Sequence, residues 1–184
     1  MAEIIKLDNF LPENYYQGIY NTINNRDPFP WFLYKDVVAK PIIEPKGKRD
    51  KDFMFVHMFF QEGTYHSQLY TDIVLPVWNK ICEYEKHDCT ILRAKLNGYV
   101  NHYKHVEHDW HVDLDTEIPY KTALYYINTN NGRTEFDDGE RGHIKIPSVA
   151  NTIVLAPGDM PHRSVTQTDI TMRQTLNIVY RVGM

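Results

Sequence analysis

From Thr90 onward the chain is cut into short runs rich in β-branched and aromatic residues, at 91–103, 122–128, 144–147, 152–156, 162–165 and 172–181. Turn-forming clusters punctuate this half, among them Asn130-Asn131-Gly132, Asp137-Asp138-Gly139 and Ala156-Pro157-Gly158-Asp159. Strands this short and this closely spaced pair with one another into a barrel or a sandwich. Residues 90–182 are therefore expected to form a β core.

The first 89 residues read differently. Residues 4–7 suit a short strand. Leu11-Pro12-Glu13 opens a helix to about Asn24, with Pro12 in an early turn where its missing N–H costs little. Tyr16, Ile19, Tyr20 and Ile23 recur at helical spacing and give that helix one apolar stripe. Asp27-Pro28-Phe29-Pro30 ends it. Strands are expected over 31–38 and 53–60. A second helix is expected over 64–85, with Leu69, Ile73, Val77 and Ile81 four apart and Pro76 kinking or splitting it. The stretch 40–52 carries two prolines and the charge run Lys46-Gly47-Lys48-Arg49-Asp50-Lys51-Asp52. It reads as a solvated loop, with a substrate-gripping lid as the sharper alternative.

The 184 residues suit a single domain with a real core. Its class is mainly β with flanking helices, residues 1–89 supplying helices and supporting strands packed on one sheet of the core. A net charge of -4 argues against a broad phosphate-binding face, so nucleic acid is not an expected partner. Two cysteines, Cys82 and Cys89, do not make a disulfide framework. No apolar run approaches ~18 residues and no signal peptide is visible, so a cytoplasmic chain without a membrane partner is expected.

Four of the nine histidines crowd together at His102, His105, His108 and His111. In an extended strand, residues i and i+2 share a face. His111 and Asp113 can thus aim an imidazole and a carboxylate at one point, and His105-Val106-Glu107 offers a rival pair. A further His from another strand would complete a two-His-one-carboxylate set, which leaves three octahedral positions open and suits Fe(II) oxygen chemistry. After Asp113 only His143 and His162 remain. His162 leads into a strand-like run, and Arg173 follows it. Arg173, Thr175 and Asn177 alternate with apolar residues, a polar face that suggests a strand lining a site.

His111-x-Asp113, then His162, then Arg173 resembles the 2-oxoglutarate/Fe(II) dioxygenases, in particular the prolyl 4-hydroxylase-like branch. The short stand-alone length is similar to members encoded by tailed phages. In that branch a basic residue after the second His grips the distal carboxylate of 2-oxoglutarate. Ala123-Leu124-Tyr125-Tyr126-Ile127-Asn128 resembles the strand after the His-x-Asp, whose second Tyr helps hold that carboxylate. Asn131-Gly132-Arg133-Thr134-Glu135-Phe136 resembles a Gly-Gly-x-x-Phe-like turn, with Arg133 at the second Gly. Asn97-Gly98-Tyr99 resembles the strand before the metal motif, where a Tyr approaches the co-substrate; the stretch from Tyr99 to His111 is longer than usual, which leaves Tyr103 as an alternative. The resemblance spans 91–181 and implies a double-stranded β-helix, or jelly roll.

It also implies a chemistry. Fe(II) would be held by His111, Asp113 and His162, and 2-oxoglutarate by Arg173, Tyr126, Tyr99 and Asn177. With O2, and ascorbate as a stimulant, 2-oxoglutarate would be decarboxylated to succinate while an unactivated C–H is hydroxylated. The prime substrate would be a peptidyl residue such as proline, or a small molecule. His102, His105 and His108 are read as surface or supporting residues, and Trp110 as packing or as a substrate contact. Other readings stay open. One is a catalytically inactive jelly-roll binding or structural protein. Another is a nucleobase-modifying oxygenase, of whose Arg-x-Asn-x-x-x-Arg-like strand only Asn177 and Arg181 are present. A third is a Zn or Mn cupin-like enzyme served by the histidine cluster.

Overall fold

The computed structural model describes residues 3–38, 42, 53–139 and 142–183. The stretch 40–52, Ile42 apart, lies outside them, and with it the choice between loop and lid. The chain begins with β1 (Ile5–Leu7), α1 (Glu13–Asn24), β2 (Phe32–Tyr34), β3 (Met54–Gln61), β4 (Thr64–Tyr65) and α2 (Leu75–Glu85). The β core follows: β5 (Cys89–Val100), β6 (Lys121–Tyr126), β7 (Asn130–Asp137), β8 (His143–Ser148), β9 (Thr152–Pro157), β10 (His162–Val165) and β11 (Met172–Val182). The larger sheet runs β1-β9-β6-β11-β5-β3-β2, with β4 on β3, and the smaller runs β10-β7-β8. No helix among the described residues is long and apolar enough to cross a membrane.

Three expectations from the sequence change. The helix expected over 64–85 begins later, because Thr64–Tyr65 pairs with the end of β3. One π turn, Tyr70–Val74, then leads into α2, and Pro76 sits in the first turn of α2, where no N–H is needed. The strand expected over 31–38 shrinks to Phe32–Tyr34, all three residues exposed. The Asn131–Phe136 turn is a strand instead. The reversal lies just before it, where the Asn130 amide donates to the Asn128 carbonyl at 3.2 Å. A register shift between Asn130 and Arg133 then absorbs Asn131-Gly132 as a bulge.

The alternation of side chains along the large sheet separates core from site. On β6, Ala123 and Tyr125 join one apolar cluster while Leu124 and Tyr126 join another. The first cluster also takes Ile19 and Ile23 of α1, Val77 and Ile81 of α2, Leu96 of β5 and Ile178 of β11. The second fills the space between the sheets, with Val154 and Ala156 from the large one and Phe136 and Ile146 from the small one. β5 and β11 are apolar mainly on the first side. Their other faces carry Arg93, Lys95, Asn97 and Tyr99, and Arg173, Thr175 and Asn177. Burying that many polar groups costs free energy unless each finds a partner, so this inner face is where a site is to be sought.

Candidate active site

His111 and His162 face each other as an isolated antiparallel bridge. Each backbone N–H donates to the other's carbonyl, at 3.0 and 2.9 Å. The imidazole centroids are 4.5 Å apart. Asp113 completes the group, the candidate donor atoms of His111, Asp113 and His162 all lying within 4.8 Å of one another. The segment carrying His111 and Asp113 is not the regular strand expected. It is tied to β10 through the bridges Glu107↔Val165 and His111↔His162, and Asp113 lies just past the second bridge, at a bend.

The protonation states suit a metal. His111 Nδ1 lies 3.2 Å from the Asp109 carbonyl, and His162 Nδ1 lies 3.3 Å from the Met160 carbonyl. A carbonyl only accepts, so each Nδ1–H donates, and Nε2 is the ring nitrogen turned to the site. Burial, with His162 alongside, pushes His111 down to about 3. Burial opposes ionisation of Asp113, yet Arg93, His162, His111 and Lys95 together hold its carboxyl well below the usual carboxylate range. Arg93 Nη2 donates to Asp113 Oδ1 at 2.5 Å. Thr122 Oγ1 and Asn177 Nδ2 donate to Oδ2 at 2.9 and 3.0 Å. The same Oδ2 is 3.7 Å from His162 Nε2. Two imidazoles and an oriented carboxylate form a donor set for a divalent cation. The rival pair is pulled apart: His105 Nδ1 is 2.7 Å from the Thr166 carbonyl, and Glu107 pairs with Arg163 at 2.8 Å.

The same cavity holds Arg173, which is 1% exposed. Its guanidinium donates to three hydroxyls: Ser148 at 2.6 Å, Ser164 at 2.6 Å and Thr134 at 2.9 Å. No carboxylate of the described residues pairs with it, and burial lowers its pKa. Tyr99 and Tyr126 lie with their rings 5.2 and 5.6 Å from the guanidinium. Tyr99 lines the cavity, whereas Tyr103 is 92% exposed and outside it. Tyr126 acts one step back, donating to Thr134 Oγ1 at 2.9 Å. Asn177 lines the cavity too, but its amide is engaged by Asp113 and Arg93.

Between Arg173 and the triad lie Asn97 and Thr175, directly opposite each other on β5 and β11. Asn97 Oδ1 and Thr175 Oγ1 are buried without a hydrogen-bond partner. Such orphans mark a place where a ligand's polar atoms belong. Reading the sequence missed Lys95, Asn97, Thr134, Ser164 and Arg93. The β5 residues were within reach: Arg93-Ala94-Lys95-Leu96-Asn97 alternates polar with small or apolar in the way that picked out β11.

The remaining histidines stand apart from the triad. His102 packs on Phe53, His108 is buried and stacks on Tyr99, and His143 lies 4.7 Å from Trp110. Trp110 also carries the Arg163 guanidinium 4.6 Å above its ring. A larger cavity, about 870 Å³, opens around His57, Phe32 and Asp72. Of its two histidines, His57 is held by the Pro30 carbonyl and Ser67, both at 2.7 Å, and among the described residues the cavity contains no metal-ligand cluster.

No protein-family model matches the sequence, nor does any curated protein. Solved structures do match. A 2OG-Fe(II) oxygenase-family oxidoreductase from Burkholderia pseudomallei superposes with a TM-score of 0.72 at 11% identity, covering 98% of this chain and 86% of its own. A prolyl hydroxylase from Trichoplax adhaerens, solved with a peptide fragment of the hypoxia inducible factor oxygen degradation domain, gives 0.70 at 13%, covering 96% and 82%. An alpha-ketoglutarate-dependent non-heme epimerase from nogalamycin biosynthesis gives 0.67 at 12%, covering 98% and 78%. The chain therefore has the jelly-roll fold found in the prolyl hydroxylases and their 2-oxoglutarate/Fe(II) oxygenase relatives.

Proposed function

We propose that this protein is an Fe(II)- and 2-oxoglutarate-dependent oxygenase that hydroxylates an unactivated C–H of a peptidyl residue or a small molecule. One observation carries the reading. A fully buried guanidinium with no anionic partner among the described residues shares a cavity with a two-His-one-carboxylate cluster. An isolated buried cation is unfavourable, and a carboxylate ligand relieves it. The residues fit the iron: two Nε2 atoms and an ionised carboxylate converge, and each is oriented by a second partner. Iron(II) bound there supplies dioxygen activation, coupled to decarboxylation of 2-oxoglutarate.

The chain's own groups do the placing. Arg173 pairs bidentately with the distal carboxylate. Thr134 Oγ1 already accepts from Arg173 and Tyr126, so its own proton is free to reach the same carboxylate. Thr175 Oγ1 donates to the 2-oxo-acid end, and Asn97 does so once its amide turns to present Nδ2. Arg93, Thr122 and Asn177 fix Asp113. The cavity is narrow, about 30 Å³, so a five-carbon dicarboxylate enters by displacing flexible walls such as Met54. Residues 1–184 act as one domain in this reading, with α1 and α2 bracing the large sheet from behind.

The test is succinate release from 2-oxoglutarate with Fe(II) and ascorbate, across peptides and metabolites. Succinate from the native protein, and none from Asp113→Ala, is the expected result. Full turnover in Asp113→Ala would remove the triad from its role. A native protein that neither retains metal nor binds 2-oxoglutarate would point instead to a non-catalytic jelly roll.

A further inference from the structure

The polar face of β5 and β11 is a ladder with rungs two residues apart, each step about 6.7 Å. Arg173 and Tyr99 form one end, Thr175 and Asn97 the next rung, and Asn177 and Lys95 the third. Asp113 is bound to the third rung through Asn177, at 3.0 Å. Lys95 therefore stands beside the triad, about 13 Å along the strands from Arg173. The two carboxylates of 2-oxoglutarate are only roughly 5 Å apart. Measured along the strands, a molecule of that length gripped at Arg173 extends to the rung of Asn97 and Thr175, one rung before Lys95.

Lys95 is also a surplus charge. It lines the cavity and is partly buried, yet its ammonium makes no hydrogen bond or ion pair among the described residues. The nearby carboxylate of Asp113 is already neutralised by Arg93. Of the other cations on the cavity wall, Arg163 is satisfied by Glu135 at 2.6 Å and Glu107 at 2.8 Å. A divalent metal and a dianionic co-substrate would leave the wall around Lys95 with excess positive charge. Nothing about hydroxylating an uncharged ring needs a cation there.

We propose that Lys95 is a second carboxylate anchor, which holds an acidic group of the molecule to be oxidised and so selects small acids, free amino acids among them. The inference rests on the oxygenase reading above and narrows its substrate class. The bound carboxylate lies next to the metal, so oxidation falls on a carbon close to the acid group. Lysine suits this place because its flexible stem and point charge adapt to the incoming acid, whereas Arg173 presents a fixed fork.

Footprinting of the native protein separates the two sources of carboxylate. The protein is loaded with Mn(II), kept free of oxygen, and treated with an amine-acylating reagent; modification of Lys95 is followed by peptide mass spectrometry. Four conditions are compared: Mn(II) alone, with 2-oxoglutarate, with 2-oxoglutarate plus acetate or a mixture of free amino acids, and with 2-oxoglutarate plus acetamide or the matching amino-acid amides. The expected result is at least fivefold slower acylation with the acids, no slowing with the amides, and less than twofold change with 2-oxoglutarate alone. Protection by 2-oxoglutarate alone as strong as by the acids would assign Lys95 to the co-substrate and overturn the proposal. So would acylation that no carboxylate slows. Calorimetry of 2-oxoglutarate on the same Mn(II) protein reports separately on the oxygenase reading, because an acid-specific footprint at Lys95 can persist where that binding is absent.

Discussion

Replacing Arg173 by Met tests the buried cation directly. The side chain is of similar length and removes the charge and five donors. In the proposed complex the guanidinium gives two charge-assisted hydrogen bonds to one carboxylate. Each hydrogen bond to a charged group contributes about 1.5–3 kcal/mol, so the pair is worth about 3–6 kcal/mol. At ~1.4 kcal/mol per decade, the dissociation constant for 2-oxoglutarate rises by about 10²–10⁴. Calorimetry on the Mn(II) form reads this without turnover. Denaturation gives a second reading: at a 2-oxoglutarate concentration of about 100 times the native Kd, the ligand stabilises the native protein by about 2.7 kcal/mol. A variant whose Kd has risen a hundredfold keeps only about 0.4 kcal/mol of that. The unliganded variant should be about as stable as the native protein, because the loss of three hydroxyl partners is offset by no longer burying an unpaired charge. A Kd within threefold of native would refute the argument. So would a large loss of stability in the absence of ligand, because it would make Arg173 a structural residue.

Three further perturbations follow from the same contacts. A Cβ at Gly132 would lie 2.8 Å from Asn130 Oδ1, 2.9 Å from the Val165 carbonyl and 3.0 Å from Arg173 Cδ; Gly132→Ala should cost about 1–3 kcal/mol in urea unfolding and weaken 2-oxoglutarate binding, and unchanged binding would show that Arg173 has slack. Asp113→Ala strands Arg93, which is largely buried, so besides losing succinate production it should lower stability by about 3–5 kcal/mol; a melting temperature at the native value would mean that Arg93 finds another partner. Glu135 is buried between Arg133 and Arg163, and although burial opposes its ionisation, hydrogen bonds from those two arginines hold its pKa below normal. A depressed acid stabilises above its unfolded pKa and loses that contribution as pH falls through the folded one. Glu135→Gln should therefore cost about 1.5–3 kcal/mol near pH 7, with the difference from native shrinking below about pH 4; a pH-independent difference would rule out a charge effect.

The β core was legible because its signals are local. β-branched runs bounded by turn residues give β8, β9, β10 and β11 to within a residue or two at each end. Legibility failed where a non-local partner decides. Nothing near Thr64–Tyr65 announces that it will pair with Phe60 and Gln61 rather than extend a helix. Asn130-Asn131-Gly132 has the composition of a turn, but its neighbours on both β8 and β10 draw it into the small sheet, and the glycine ends up in a bulge against Arg173.

At the candidate site, spacing picked out His111, Asp113 and His162, and the fold is what brings them together. His111 and Asp113 were picked as neighbours on one strand face. What actually aligns His111 is the reciprocal bridge to His162, fifty-one positions away, which places the two imidazoles together. Asp113 owes its orientation to Arg93, Thr122 and Asn177, three residues from three different strands. Asn177 was expected to touch the co-substrate, and it lines the cavity, yet its amide spans Asp113 and Arg93. The polar ladder makes the reason clear. Arg173 and Asn177 are both inward-facing on β11 but two rungs apart, so in the proposed complex a ligand gripped at Arg173 extends only to the rung before Asn177. The same separation that takes Asn177 away from the distal carboxylate is what leaves Lys95, its partner across the strands, free for a second acid.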